Sequence, residues 1–114
     1  GTGLDKQGVA HKADVVERAL KANQTMLDNP GDILQALGGF EIAAMVAAII
    51  RSAQLGQPVL IDGYISSVAA LAAVKINPSV QTWIHFSHRS AEPGHAAVLE
   101  AMQATTILDL GMRL

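Results

Sequence analysis

The sequence predicts an α/β fold in which a parallel sheet is flanked by helices. Residues 59–61 and 82–86 have the apolar, β-branched and aromatic composition of buried strands. Each run precedes a segment that is typical of a helix, and alternation of strands and helices is the pattern of parallel α/β layers. The 114 residues suffice for one domain or for a part of a larger one, and 50% of them are hydrophobic.

Charge and composition narrow the classes of function. The formal net charge is -2 and no basic run is present, so a nucleic-acid partner is not expected. Cysteine is absent, which excludes disulfides, thiolate metal sites and cysteine nucleophiles and fits a cytoplasmic location. The apolar run at residues 42–50 is too short to span a bilayer and ends at Arg51, so we expect a buried helix and no membrane partner.

The first predicted element is a helix. Asp5 is placed to cap it, and the helix is expected to run to about Asn23. Its apolar positions fall on one face, whereas charged residues such as Lys12 point elsewhere. The members of the apolar face are Val9, Val15, Val16, Ala19 and Leu20.

Two further helices are predicted before the first strand. Residues 29–31 form a predicted turn, and Asp32 with Gln35 has the form of a capping box for a short helix. The glycine pair at residues 38–39 ends that helix. Residues 40–55 are predicted to form the next one, which is apolar on most sides and is therefore expected to be buried.

The first strand, residues 59–61, ends abruptly at Asp62 and Gly63, and residues 65–74 follow as a compact helix. Ligands of parallel sheets bind outside the carboxyl ends of the strands. Asp62 is therefore predicted to lie at the mouth of a ligand site. The alternative is that Asp62 only caps the following helix, as aspartate often does.

The later elements repeat this order. The Asn-Pro pair at residues 77–78 ends the helix, because proline cannot continue it. A second strand at 82–86, a polar loop at 87–94 and a helix at 95–102 follow. Residues 106–110 are predicted to form either a third strand or a helical turn.

The loop between the second strand and the last helix is a candidate anion site. Residues 87–90 offer hydroxyls, backbone N–H groups and the positive charge of Arg89, which suit a phosphate near a helix N-terminus. The alternative is ordinary capping by Ser90, with Arg89 in water. Residues 1–3 could also hold a phosphate through glycine N–H groups. No metal site is predicted, because no carboxylate or thiolate joins the histidines at ligand spacing. The histidines are His11, His85, His88 and His95.

Four segments occur in a characteristic order and at characteristic intervals. They are residues 37–45, 59–65, 87–95 and 112–114, and residues 1–5 and 11–12 match the same pattern. Together they resemble the nicotinate-nucleotide:dimethylbenzimidazole phosphoribosyltransferase family. The resemblance implies transfer of phosphoribose from nicotinate mononucleotide to 5,6-dimethylbenzimidazole, giving α-ribazole 5′-phosphate and nicotinate in cobalamin lower-ligand synthesis. It also implies a Rossmann-like sheet, a smaller helical domain, a homodimer, and no metal or cofactor.

The resemblance also implies roles for particular residues. Arg113 matches a residue next to the catalytic centre and is grouped with the nucleotide-binding residues, and Leu114 matches a residue that contacts the base. The other positions match the nucleotide pocket of the family, and Ser90 matches its phosphate-binding serine. These positions are Gly1, Thr2, Lys12, Asp62, Gly63 and Ser90.

The resemblance assigns no catalytic residue to this chain. The family's catalytic glutamate lies in a Gly-Glu-Gly segment directly after the Arg-Leu pair, so the general base is expected just beyond Leu114. A base is needed because the attacking benzimidazole nitrogen must lose a proton. Residues 1–114 are therefore interpreted as a central-to-late fragment of the catalytic domain that is inactive alone. Two alternatives stay open: a stand-alone nucleotide- or phosphate-binding module, and a structural piece that dimerises through exposed apolar faces.

Overall fold

The computed structural model describes Gly3 and residues 5–109, which form an open three-stranded sheet with helices around it. In chain order, the elements are α1 (Lys6–Ala22), α2 (Pro30–Leu37), α3 (Phe40–Gln54), β1 (Val59–Ile61), α4 (Tyr64–Ile76), β2 (Ile84–His88), α5 (Pro93–Ala101) and β3 (Thr106–Leu108). Short 3₁₀ turns at Gln24–Met26 and Pro78–Trp83 complete the path.

The sheet is parallel throughout, in the order β1-β2-β3. Val59 lies opposite Ile84, and Phe86 lies opposite Thr106. Parallel neighbours require crossover connections, which here are α4 and α5. The predicted α/β class is confirmed, and the third segment is a strand rather than a helical turn.

Helix α4 lies at the centre of the core because its side chains are small. Ala69, Ala70 and Ala73 are fully buried, and both α3 and α5 pack against the helix. Small residues let backbones approach closely, so an alanine-rich helix fits between two neighbours and the sheet. The buried apolar residues around it include Val46, Ile49, Ile61, Val80, Ile84, Phe86, Leu99 and Met102.

Only one face of the sheet is covered within the described residues. Ile61, Ile84 and Phe86 point into the core, whereas Leu60 and Ile107, which point to the opposite side, are 64% and 65% exposed. The apolar stripe of α1 is also exposed, and α1 has no buried residue. None of the described helices is both long and apolar enough to cross a membrane.

The expectation that α3 is buried on most sides is wrong for this chain. Only Val46 and Ile49 are buried in it, and Phe40 is 96% exposed. The elements that contact α3, among them α2, α4 and β1, cover only part of its surface. Its Ala44, Ala47 and Ala48 therefore remain exposed although they are apolar.

The predicted turn and capping box before α2 are also wrong. Asn29 is the N-cap, and its Oδ1 accepts hydrogen bonds from the N–H groups of Gly31 at 2.8 Å and Asp32 at 3.4 Å. Pro30 occupies the first helical position, where its missing N–H and fixed φ are no disadvantage. Asp32 therefore lies inside the first turn. By contrast, Asp5 caps α1 as predicted, accepting from Gly8 N–H at 2.7 Å.

The second strand is displaced along the sequence from its predicted position. Residues 78–83 form a 3₁₀ turn, so β2 begins at Ile84 and continues through Ser87 to His88. Helix α5 begins at Pro93, a residue that is favoured in the first turn of a helix. The predicted polar loop therefore shortens to residues 89–92.

Candidate functional site

A cleft of about 410 Å³ opens at the carboxyl ends of β1 and β2. Asp62 and Gly63 reach it from the end of β1, and Ser90 reaches it from the loop after β2. The other residues that line it are Tyr64, Ile65, Ser66, His88 and Glu92. Because parallel strands end at the same edge, residues distant in sequence meet at this position.

The first turn of α4 forms one wall of the cleft. Gly63 is the N-cap of α4, and its own N–H donates to Ser66 Oγ at 3.0 Å. The N–H groups of Tyr64, Ile65 and Ser66 precede the first intrahelical bond, which Ser67 N–H makes to the Gly63 carbonyl at 3.0 Å. This wall therefore presents backbone donors and the positive end of a helix dipole.

Asp62 is available to a ligand because it does not cap the helix. Gly63 holds the cap position, and the Asp62 side chain is 85% exposed. The capping alternative for Asp62 is therefore wrong. Its Oδ1 lies 3.6 Å from His88 Nδ1 and 3.5 Å from Ser87 Oγ.

Asp62, Ser87 and His88 lie together but do not form a catalytic triad. Ser87 Oγ lies 3.0 Å from His88 Nδ1, and Ser87 also donates to the Asp62 carbonyl at 3.0 Å. A triad needs the serine and the aspartate on different ring nitrogens, whereas here both face Nδ1. Within residues 5–109, no group of three or more histidine, aspartate or glutamate side chains comes together at a metal-binding spacing.

The Ser90 loop is held by its own hydrogen bonds. Ser90 N–H donates to His95 Nδ1 at 2.9 Å, and Ser90 Oγ accepts from Glu92 N–H at 3.2 Å. Arg89 N–H donates to the Leu108 carbonyl at 3.1 Å. Glu92, a carboxylate, is the N-cap of α5. The N–H groups of Arg89 and Ser90 are therefore already engaged within the protein, and anion binding by this loop stays a prediction.

Behind the cleft lies a buried polar connection that sequence reasoning missed. His95 and Ser67 are both fully buried. His95 Nε2 lies 2.9 Å from Ser67 Oγ, and Ser67 Oγ donates to the Gly63 carbonyl at 2.8 Å. The sequence pattern alone brings His95 forward only among the four histidines considered as metal ligands. The available signal was the Ser-Ser pair at residues 66–67 within an otherwise apolar helix.

The surroundings of His95 favour its neutral form. Burial lowers the pKa of His95, and the nearby His88 and Arg89 lower it further. Because Ser90 donates to Nδ1, the proton of the neutral ring is on Nε2 and points at Ser67 Oγ. Every polar atom of this connection therefore has a partner.

The remaining predicted site residues are not brought to the cleft in the described part of the chain. Lys12 is exposed on α1 and does not line the cleft. Gly1, Thr2, Arg113 and Leu114 lie outside the described residues. The predicted roles of all these residues, and of Asp62, Gly63 and Ser90, stay predictions.

Comparison with known proteins places the whole chain in one group. A family model described as a phosphoribosyltransferase matches residues 1–114. Nicotinate-nucleotide–dimethylbenzimidazole phosphoribosyltransferases from Azotobacter vinelandii (strain DJ) and Pseudomonas putida (strain F1) are 55% and 54% identical over 114 residues. These alignments cover 100% of this chain and 32% of each relative, so the chain spans about a third of their length.

Solved structures give the same result. CobT from Thermus thermophilus matches with a TM-score of 0.89 at 32% identity, over 100% of this chain and 34% of that chain. A nicotinate-nucleotide-dimethylbenzimidazole phosphoribosyltransferase structure from the same organism matches at 0.86 and 31%, over 96% of this chain and 33% of that chain. The resemblance seen in the sequence is confirmed. The chain belongs to the phosphoribosyltransferase family, with the nicotinate-nucleotide–dimethylbenzimidazole enzymes among its relatives.

Proposed function

We propose that residues 1–114 are a central-to-late part of the catalytic domain of an enzyme that transfers phosphoribose. The donor is nicotinate mononucleotide and the acceptor is 5,6-dimethylbenzimidazole, with α-ribazole 5′-phosphate and nicotinate as products. The observation behind this proposal is that Asp62, Gly63 and Ser90 line one cleft at the carboxyl ends of β1 and β2. The names of the relatives supply the substrates.

The charges of the cleft suggest how phosphoribose would lie in it. Asp62 and Glu92 bring two carboxylates, which repel a phosphate but accept hydrogen bonds from ribose hydroxyls. The first turn of α4 offers N–H donors and a positive dipole, which favour an anion. We therefore assign Asp62 to the ribose, and the α4 turn with the Ser90 hydroxyl to the phosphate. No metal or cofactor takes part in this scheme.

The chain is expected to bind but not to turn over. In the reaction a benzimidazole nitrogen bonds to the ribose C1′, nicotinate leaves, and the ring nitrogen releases its proton to a base. The base is expected beyond Leu114. Lys12, Gly1, Thr2 and Arg113 complete the nucleotide pocket in this proposal, and Leu114 contacts the acceptor base.

The test is a titration with nicotinate mononucleotide, followed by backbone amide NMR. We expect saturable shifts at Gly63, Ser66 and Ser90, reproduced by ribose 5-phosphate and not by nicotinate. Asp62→Asn should weaken binding, whereas Asp32→Asn, on the exposed first turn of α2, is the matched control. Absence of shifts at millimolar ligand would contradict the proposal.

The second candidate function is a nucleotide- or phosphate-binding module without catalysis. It is favoured by the first turn of α4, whose backbone N–H donors and positive dipole end suit an anion whether or not a reaction follows. Incubation of the chain with both substrates distinguishes the two candidate functions. Turnover by the chain alone would exclude a module without catalysis, and it would also show that the chain contains the base of the reaction.

We also propose that the protein works as a cytoplasmic homodimer. Exposed apolar side chains support association. On α1 these are Val9, Val15, Val16 and Leu20. The absence of cysteine suits a reducing compartment. Light scattering across a concentration series tests the assembly, and a stable monomer would contradict it.

A further inference from the structure

We propose that His95, acting with Ser67, is a positioning residue that holds the Ser90 loop against the Gly63 turn and so sets the shape of the cleft. We call the connected groups of Gly63, Ser67, His95 and Ser90 the His95 bridge. The effect on ligand binding rests on the proposed function, whereas the positioning itself does not.

The direction of every hydrogen bond in the His95 bridge is fixed. Ser90 has only an N–H to offer His95 Nδ1, so Nδ1 is the acceptor. The ring proton is then on Nε2 and is donated to Ser67 Oγ. The Ser67 proton is left for the Gly63 carbonyl. Since each group has one role, reversing any bond would leave two donors or two acceptors facing each other.

The two ends of the bridge are the two sides of the cleft. Gly63 belongs to the β1–α4 junction, and Ser90 belongs to the β2–α5 loop. Within the described residues, the hydrogen bonds that join Ser90 to Gly63 run through His95 and Ser67. A shift of the ring would therefore move the Ser90 hydroxyl relative to the α4 turn.

Burial makes the bridge stiff. His95 and Ser67 are fully buried, so water cannot replace a lost partner. A buried polar network that is fully satisfied favours one arrangement, whereas a partly satisfied one does not. An apolar side chain would fill this space without such requirements, so orientation is the property that the polar pair adds.

Charged and titratable groups surround the bridge on each element packed against it. His88 and Arg89 lie on the β2 side, Glu92 is the N-cap of α5, and Tyr64 comes from α4, with its ring centroid 6.2 Å from that of His95. A proton added to Nδ1 would face the Ser90 N–H, donor against donor. The bridge is thus intact only with a neutral ring.

The decisive variant is Ser67→Ala, because the side chain of Ser67 is hydrogen-bonded to Gly63 and His95, and it is His95 that accepts from Ser90. If the bridge acts as a unit, hydrogen exchange of the Ser90 amide should accelerate about 2- to 10-fold, as expected for a weakened hydrogen bond. If His95 were only a local partner of Ser90, the exchange rate would stay unchanged, which would overturn the proposal. This readout needs no ligand, so it stands even if nicotinate mononucleotide does not bind.

Two substitutions of His95 separate its two hydrogen bonds, because each keeps one contact and loses the other. His95→Asn keeps an acceptor near the Nδ1 position and loses the Ser67 contact, whereas His95→Gln keeps a donor near Nε2 and loses the Ser90 contact. We expect the affinity for nicotinate mononucleotide to fall about 2- to 10-fold in each, and further in His95→Leu, which loses both. Unchanged affinity in His95→Leu would contradict the proposal.

Val80→Ala is the matched control for stability. Val80 is fully buried and lies outside both the cleft and the bridge. Val80→Ala should lower the melting temperature. When each protein is measured the same number of degrees below its own melting temperature, the Ser90 exchange rate and the affinity for nicotinate mononucleotide should be unchanged. An equal loss of affinity in Val80→Ala would assign the effect to general destabilisation and overturn the positioning role.

Discussion

The Tyr64 ring occupies the space in which a side chain at residue 94 would lie. A Cβ built on Gly94 would collide with the Tyr64 hydroxyl and would come within 2.6 Å of its ring carbon Cζ. Tyr64 is the first residue of α4 and Gly94 lies in the first turn of α5. This contact therefore joins the starts of the two helices that border the cleft.

Gly94→Ala is expected to destabilise the protein by about 1–3 kcal/mol, the usual effect of overpacking. The ring must move because the colliding atoms include ring carbon as well as the hydroxyl. Urea denaturation of the wild type and the variant measures the change. In a Tyr64→Ala background the same substitution should have almost no effect, and an equal loss in both backgrounds would show that the cause lies elsewhere.

The free energy of unfolding should decrease as the pH is lowered, because His95 titrates differently in the folded and unfolded states. Its pKa is lowered from the ordinary 6.5, chiefly by burial, so the unfolded chain binds this proton more readily than the folded one. The contribution of His95 is therefore complete above about pH 6.5 and is lost as the pH falls below that value toward the lowered pKa.

The measurement is the free energy of unfolding of wild type and His95→Asn between pH 7.5 and 5. Both proteins contain the other histidines and the neighbouring Arg89, Glu92 and Tyr64. The difference between their pH dependences of the free energy of unfolding therefore reports the titration of His95. We expect the wild type to lose more stability than the variant on acidification. Parallel curves would show that His95 does not titrate differently on folding.

The N-cap of α2 can be tested by a matched pair. Asn29→Ala removes the acceptor of two N–H groups and is expected to lower stability by about 1 kcal/mol. Asp32→Ala loses only a favourable interaction with the helix dipole, about 0.3–1 kcal/mol. Thermal unfolding of the two variants ranks them, and a larger effect at Asp32 would favour the capping box that the sequence suggested.

The sequence predicts well wherever the deciding interaction is local. Asp5 caps α1 through a residue three positions away, and the composition of residues 59–61 is enough to identify β1. It fails where two local solutions compete, as at Asn29 and Asp32, and where a 3₁₀ turn displaces the start of β2.

The candidate site also contains residues that local sequence predicts and residues that only tertiary packing brings together. Asp62 and Gly63 follow from the end of a strand, because parallel sheets place ligands there. The Ser-Ser pair at residues 66–67 marks a polar position in α4 but does not identify its partner, since Ser67 and His95 are brought together only by the packing of α5 on α4. Composition overestimates the burial of α3, because it shows which faces of a helix are apolar and not which of them have a neighbour.

Replacing Asp62 is expected to weaken ligand binding while leaving the free energy of unfolding almost unchanged. Its side chain is 85% exposed and does not cap α4, so Asp62→Asn should change the free energy of unfolding by less than about 0.5 kcal/mol. Loss of a charge-assisted hydrogen bond to a ribose hydroxyl should weaken binding of nicotinate mononucleotide about tenfold. Calorimetric titration measures the affinity, and ribose 5-phosphate should show the same loss whereas inorganic phosphate should not. If phosphate instead binds Asp62→Asn more tightly, repulsion by this carboxylate is the larger effect and the phosphate lies closer to Asp62 than we propose.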